Sequence, residues 1–99
     1  MNLDNKIKER LKGYLGRDEK GIRKAVICLF LQDNSYTTED VHNYLVKNGF
    51  DVSYRGISAM VGLMNTKLGI LSIDVTGEHN LYSLKDGHKE IVKSVLDNY

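Results

Sequence analysis

The stretch SYRGISAMVGLMNTKL, residues 53–68, holds the side chains of this sequence whose types and spacing best suit contact with a ligand. When its residues are placed 100° apart, as in an α-helix, one side is small or polar, with one cation and no anion. The ridge along that side consists of Arg55, Ala59, Gly62 and Thr66. These side chains offer hydrogen bonds, methyl groups and one positive charge. Their lack of carboxylates would let a polyanion approach closely.

Double-stranded DNA is a polyanion whose major groove admits an α-helix. Arg55 could pair with guanine or with a phosphate, and Ala59 or the methyl group of Thr66 could touch a thymine methyl. Ser58 and Asn65 could hydrogen-bond base edges. Base contacts from such helices come mainly from their N-terminal half, and the N-terminal amides of this helix and of the one before it are phosphate donors. The predicted DNA-binding residues are Thr37, Thr38, Ser53, Tyr54, Arg55, Ser58, Ala59, Gly62, Asn65, Thr66 and Lys67.

Two other interpretations of the same ridge stay open. A face of Ala, Gly, Ser and Thr also lets two helices pack closely, and it can simply face water. The acid-free window runs from Val52 to Ile73, in a chain with 13 Asp and Glu among 99 residues. The window favours contact with a polyanion, but a protein partner would also accept this surface.

The charge of the whole chain is only +1, but its distribution is uneven. Residues 1–24 hold eight Lys or Arg against four Asp or Glu, whereas residues 25–52 hold one against four. Such asymmetry can form a basic face on a nearly neutral molecule.

No residue set predicts an enzyme, a metal site or a cofactor. His42, His79, His88 and Cys28 do not have metal-ligand spacing, and Cys28 in the apolar run AVICLFL is expected to be a small core residue. No glycine-rich phosphate loop is present. The single cysteine, the short apolar run and an N-terminus without a signal-peptide core predict a cytoplasmic protein outside the membrane.

The first half of the chain predicts three helices. Apolar residues at helical spacing indicate a first helix at about 3–15 that ends near Gly16. A second helix is predicted from Asp18 or Glu19 to about Gln32, although a buried strand could also carry its apolar run. Thr37 is expected to cap a third helix through a capping box with Asp40, and Gly49 ends it.

The second half predicts the 53–68 helix, a β-hairpin and a last helix. Ser53 is expected to cap the 53–68 helix and Gly69 to end it. In ILSIDV the period changes to two, which is typical of a strand with one wet face, and LYSLK returns after the turn TGEHN. A short strand at Tyr36 is also possible, and Asp86 is expected to cap the last helix.

Two short helices followed directly by a β-hairpin form a helix-turn-helix with a wing. The chain resembles winged-helix domains over about residues 19–85. Within it, YTTEDVHNYLVKNGFDVSYRGISAMVGLMNTKLGILS resembles the helix-turn-helix of ferric-uptake-regulator-type repressors, with a Thr-capped helix, a short turn and an Arg near the start of the next helix. No counterpart of those repressors' metal-binding domain is present. In its general sequence features, and not in a particular motif, the chain also resembles an uncharacterised archaeal family of small winged-helix proteins.

The predicted fold is therefore mainly α with a small β-hairpin, a winged helix-turn-helix with extra terminal helices. A single domain covers 1–99, with an N-terminal extension at 1–17, a core at 18–85 and a C-terminal helix at 86–99. The terminal helices either pack on each other within one chain or form a homodimer interface. The residues predicted for that interface are Leu3, Ile7, Leu11, Val92, Val95, Leu96 and Tyr99.

The function expected from these features is regulation of transcription by binding double-stranded DNA. The wing turn carries Glu78, and His79 supplies no permanent positive charge, so the wing offers little to phosphates. Arg55, Lys67 and part of the N-terminal Lys/Arg set would supply the charge. The alternative is a winged-helix module that binds protein in a transcription or DNA-processing assembly.

Overall fold

The computed structural model describes residues 3–18 and 20–98, except for the side chains of Leu3 and Asp4. These residues form a mainly α-helical fold with one small antiparallel hairpin, as predicted. The elements are α1 (Leu3–Gly16), α2 (Ile22–Phe30), α3 (Thr38–Lys47), α4 (Tyr54–Thr66), β1 (Leu71–Asp74), β2 (Leu81–Leu84) and α5 (Lys89–Leu96).

α2 is shorter than predicted, because Asp18 stays outside it. The Asp18 carboxylate accepts hydrogen bonds from the backbone N–H groups of Arg23 and Lys24, at 3.1 and 3.0 Å. It thereby satisfies two N–H groups that have no partner within the helix. The helix ends at Phe30 rather than Gln32, and the alternative of a buried strand for this apolar run is excluded.

The predicted caps of α3 and α4 are confirmed. The Asp40 N–H donates to the Thr37 hydroxyl at 3.0 Å and the Thr37 N–H donates to the Asp40 carboxylate at 2.9 Å, which forms a capping box. The Gly56 N–H donates to the Ser53 hydroxyl at 3.0 Å. These two caps fix where α3 and α4 begin.

The helix ends confirm the predicted glycine stops. Gly49 follows α3 and Gly69 follows α4, with φ of +88° and +68°. A side chain would strain the backbone at both positions, so glycine is the residue that fits them.

The hairpin forms as predicted, and Tyr36 pairs with its second strand. β1 and β2 pair antiparallel, with Leu71 opposite Leu84 and Ile73 opposite Tyr82. Tyr36 bridges to Tyr82 through two backbone hydrogen bonds of 2.8 Å, so the possible short strand at Tyr36 is a single bridge. This bridge connects the hairpin to the start of α3.

The predicted solvent-exposed face of β1, Ser72 and Asp74, is exposed, but its predicted buried face is wrong beyond Leu71. Leu71 is buried, but Ile73 is 38% exposed and Val75 64% exposed. The hairpin leaves the core after Leu71, so alternation alone does not bury its outer apolar residues. At the end of β1, the Thr76 hydroxyl and N–H donate to the Asp74 carboxylate, which lowers the pKa of Asp74.

The terminal helices pack against each other within one chain. α1 contacts α5 and also α2. All the described side chains of the predicted dimer interface are buried in the core: Ile7, Leu11, Val92, Val95 and Leu96. The two stripes cover each other, so these five side chains are not exposed for contact with a second copy. Tyr99 and the side chain of Leu3 lie outside the described part.

Two further predictions are corrected. Cys28 is exposed rather than in the core, because the buried residues of α2, Val26, Ile27, Leu29 and Phe30, leave the Cys28 side uncovered. Asp86 begins a 3-10 turn, Asp86–His88, and does not cap α5. α5 starts at Lys89, and no side chain caps it.

Candidate nucleic-acid interface

We name Arg55, Ala59, Gly62 and Thr66 the α4 ridge. Three of its side chains are exposed and Gly62 is half-buried. The opposite side of α4 carries Ile57, Val61 and Met64, which are buried in the core. The ridge therefore faces outward, because α4 has only one apolar side.

The two glycines of α4 have different surroundings. A Cβ atom built on Gly56 would lie 3.1 Å from the Ser53 hydroxyl oxygen, which is tight contact with the helix cap. A Cβ atom built on Gly62 would meet nothing within 4 Å. Packing within the chain therefore explains Gly56 and does not explain Gly62.

Thr66 closes the C-terminal end of the ridge. Its hydroxyl donates to the Gly62 carbonyl oxygen at 2.9 Å, so its donor is used within the helix. The methyl group is then the part of this exposed side chain that is available for an apolar contact, as the sequence predicts.

A polar cleft of about 350 Å³ lies at the N-terminal end of α4. It brings together Tyr54 and Ser58 of α4 with Thr37 and Thr38 at the start of α3, four of the predicted site residues. Residues of the hairpin turn close its other side. The complete lining is Thr37, Thr38, Glu39, Tyr54, Ser58, Glu78, His79, Asn80 and Tyr82.

The cleft contains two carboxylates, Glu39 and Glu78, and no Lys or Arg. Tyr54 is held beside it by His42, with ring centroids 6.1 Å apart in an edge-to-face arrangement. His42 Nε2 lies 3.1 Å from the Val52 carbonyl oxygen, a hydrogen bond that requires the proton on Nε2. His42 thus lies at the border between core and surface and supports Tyr54. The cleft itself is negatively charged, because it has two carboxylates and no Lys or Arg.

A second cleft, of about 700 Å³, lies at the C-terminal end of α4, between this helix, α1 and the start of α2. Lys67, a predicted site residue, contributes one side, and Leu63 and Leu68 form an apolar part. Arginines come from α1 and from the residues after it. The complete lining is Glu9, Arg10, Gly13, Tyr14, Arg17, Arg23, Leu63, Lys67 and Leu68.

Arg23 is fixed in this second cleft by Tyr14. Its Nη1 donates to the Tyr14 carbonyl oxygen at 2.8 Å, and its guanidinium carbon lies 4.3 Å from the centre of the Tyr14 ring. Burial raises the pKa of Tyr14 to about 12, and the positive charge of Arg23 offsets part of that rise. The phenol therefore stays neutral at physiological pH beside a charged guanidinium.

The sequence indicates the N-terminal Lys/Arg set as a whole and does not distinguish Arg10, Arg17 and Arg23 within it. The excess of cations in residues 1–24 was the available signal. Which of those cations reach α4 depends on how α1 packs, and that is a tertiary property. The remaining predicted residues, Ser53 and Asn65, lie in neither cleft; Ser53 is exposed at the helix cap and Asn65 is half-buried on α4.

In residues 3–18 and 20–98, no group of three or more His, Cys, Asp or Glu side chains is arranged to hold a metal ion. No helix in that part of the chain has the length and apolar character needed to cross a membrane.

Comparison with known proteins places the chain in a family. A family model described as "Protein of unknown function (DUF2551)" matches residues 11–92. An uncharacterised protein of Archaeoglobus fulgidus is 35% identical over 97 residues, which cover 98% of this chain and 99% of that protein. No solved structure matches significantly. The chain therefore belongs to the protein family of unknown function DUF2551.

Proposed function

We propose that the chain binds double-stranded DNA and regulates transcription, with α4 in the major groove. The observation that carries this proposal is the acid-free α4 ridge, at whose Gly62 no contact within the chain requires a glycine. A glycine there costs the helix about 1 kcal/mol, and close approach of a ligand would be the compensating benefit.

The order of elements supports the same proposal. α3 and α4 are joined by a short segment and followed directly by the hairpin, which is the order of a helix-turn-helix with a wing. A helix is about 10–12 Å across with its side chains, and the major groove is about 12 Å wide. The length and exposure of α4 suit insertion of its outer side into that groove.

A second copy stays part of the proposal. A chain that neutralises about four phosphates would have a salt slope of about −3.6, since each phosphate contributes about −0.9, and would bind weakly alone. Two copies on DNA would place their α4 helices about 34 Å apart, one helical turn. The surface that joins them is not the buried pair α1 and α5.

The test is a titration with random-sequence duplex DNA at 50 and 200 mM salt. We expect Arg55→Ala to weaken binding and to flatten its salt dependence by about 0.9, because one phosphate contact is lost. Ala59→Glu should abolish binding, because it places a carboxylate at the middle of the ridge.

The matched control is Ser94→Glu, which adds a carboxylate to an exposed position of α5. Its affinity for DNA should be much closer to that of the unmodified chain than the affinity of Ala59→Glu is. Binding that ignores both salt and Arg55, or equal losses for both glutamate variants, would contradict the proposal.

A winged-helix module that binds protein is the second candidate. The apolar side chains Ile73 and Val75 are exposed on the hairpin whose turn carries Glu78. A protein surface would accept this combination more readily than phosphates do. The same titration distinguishes the two, because a protein-binding module gives no salt-dependent DNA binding that requires Arg55.

A further inference from the structure

We infer that the cleft between α1, the start of α2 and the C-terminal end of α4 binds backbone phosphates of the DNA whose groove α4 enters. This inference rests on the proposed function and assigns it a phosphate-contacting surface outside both α4 and the hairpin. We name the four cations of this cleft, Arg10, Arg17, Arg23 and Lys67, the basic corner.

The basic corner has a large excess of positive charge. Glu9 is the carboxylate among the residues that line its cleft, against four cations. Within the described part of the chain, the side chains of Arg10, Arg17 and Lys67 form no hydrogen bond or ion pair, and all three are exposed. Their donors are therefore available to an anion from outside.

Arg23 is a cation of the basic corner whose orientation is fixed. Its contacts with the ring and carbonyl of Tyr14 hold the guanidinium in one orientation, and a guanidinium has five N–H donors. Arginine matches the geometry of phosphate oxygens with two parallel hydrogen bonds, so a pre-oriented guanidinium loses little freedom on binding.

A carboxylate in a neighbouring cleft is already hydrogen-bonded. Asp18 lines this smaller cleft together with Arg17, Lys20 and Arg23, and its two oxygens accept from the backbone N–H groups of Arg23 and Lys24 in the first turn of α2. The positive end of the α2 dipole opposes its charge. Asp18 therefore reduces the potential of the basic corner less than an unpaired carboxylate would.

The two ends of α4 differ electrostatically. Glu39 and Glu78 line the cleft at the N-terminal end, whereas the basic corner lies at the C-terminal end. A helix of this length is about 20 Å long, or about two screening lengths at physiological salt, so the two ends act separately on a polyanion. The helix dipole contributes about half a charge of opposite sign at each end, which is smaller than the excess in the corner.

The experiment compares two double variants that lose the same net charge. Arg10→Ala with Arg17→Ala removes two cations of the corner, and Lys47→Ala with Lys93→Ala removes two exposed cations that line neither cleft beside α4. Binding of random-sequence duplex DNA is measured from 50 to 200 mM salt, and circular dichroism checks that both variants are folded.

We expect the salt slope of the corner variant to be smaller in magnitude by about 1.8, because two phosphate contacts are lost. Over this fourfold range of salt, the unmodified chain should then lose about twelvefold more affinity than the variant. The control variant should keep nearly the original slope.

Equal slopes for the corner variant and the unmodified chain, while Ala59→Glu still abolishes binding, would overturn the inference and leave the proposed function standing. Absence of salt-dependent binding in the unmodified chain would overturn both. Equal flattening in the corner and control variants would also overturn the inference, because the effect would then come from net charge alone.

Discussion

Single residues of α4 show that the same amino acid can be present for different reasons. Gly56 gives room to the hydroxyl of Ser53, which caps the helix, whereas Gly62 lies in open space on the ridge. Neither has a positive φ, so alanine is compatible with the backbone at both positions. The difference between them is therefore a difference of surroundings.

This difference predicts opposite outcomes for two alanine substitutions. Gly62→Ala should raise the free energy of unfolding by about 0.5–1 kcal/mol, because it removes the cost of glycine in a helix and meets no atom. Gly56→Ala should give no such gain, because the new methyl group displaces the Ser53 hydroxyl and weakens a cap worth about 1 kcal/mol. Urea unfolding of both variants measures this; an equal gain in both would contradict the role given to Gly56.

At the scale of elements, α1 and α5 show how two amphipathic helices can complete a small core. Each has an apolar stripe that needs a partner, and a partner from the same chain or from a second chain would serve equally well. In the folded chain the two stripes pack against each other. Intrachain packing has the advantage that it requires no association with a second molecule.

The packing of α1 on α5 predicts the behaviour of Leu11→Ala. Leu11 is fully buried, so its truncation should lower the free energy of unfolding by about 2–5 kcal/mol, through lost burial and a cavity. Lys6→Ala, at an exposed position of α1, should change it by less than about 0.5 kcal/mol.

Sedimentation at micromolar concentration tests whether the apolar stripe of α1 also joins two copies of the chain. Folded Leu11→Ala should sediment as the unmodified chain does, because Leu11 does not join two copies. A variant of normal stability that sediments as a smaller species would show that the stripe forms an interface.

At the scale of the whole molecule, charge is polarised although its net value is only +1. Three cations of residues 1–24, Arg10, Arg17 and Arg23, lie near the C-terminal end of α4, and the hairpin turn places Glu78 near its N-terminal end. A polyanion on the ridge would therefore be attracted at one end and repelled at the other.

This polarity predicts that Glu78→Gln strengthens DNA binding. Two charges in water at about 8 Å interact by about 0.5 kcal/mol, so removal of one carboxylate beside the duplex should raise affinity about twofold at low salt. The gain should shrink at 200 mM salt because of screening. Glu90→Gln, at an exposed position of α5, is the control, and an equal gain from both would show that only net charge matters.

Much of the fold could be predicted because its signals are local. The capping residues Thr37 and Ser53, the glycine stops and the hairpin turn act within a few residues of themselves, and these predictions are confirmed. Predictions failed where burial depended on distant segments. Cys28 sits in an apolar run and Val75 in an alternating strand pattern, yet both are exposed in the folded chain.

The candidate site likewise combines features that follow from local sequence with features that depend on tertiary packing. The outward position of the α4 ridge followed from helical periodicity, since a helix with one apolar stripe must bury that stripe. The pairing of α1 with α5, the basic corner and the carboxylates at the other end of α4 were decided by tertiary structure alone. Residues far apart in sequence, such as Arg10 and Lys67, become neighbours only when several helices pack together, and no local pattern encodes that distance.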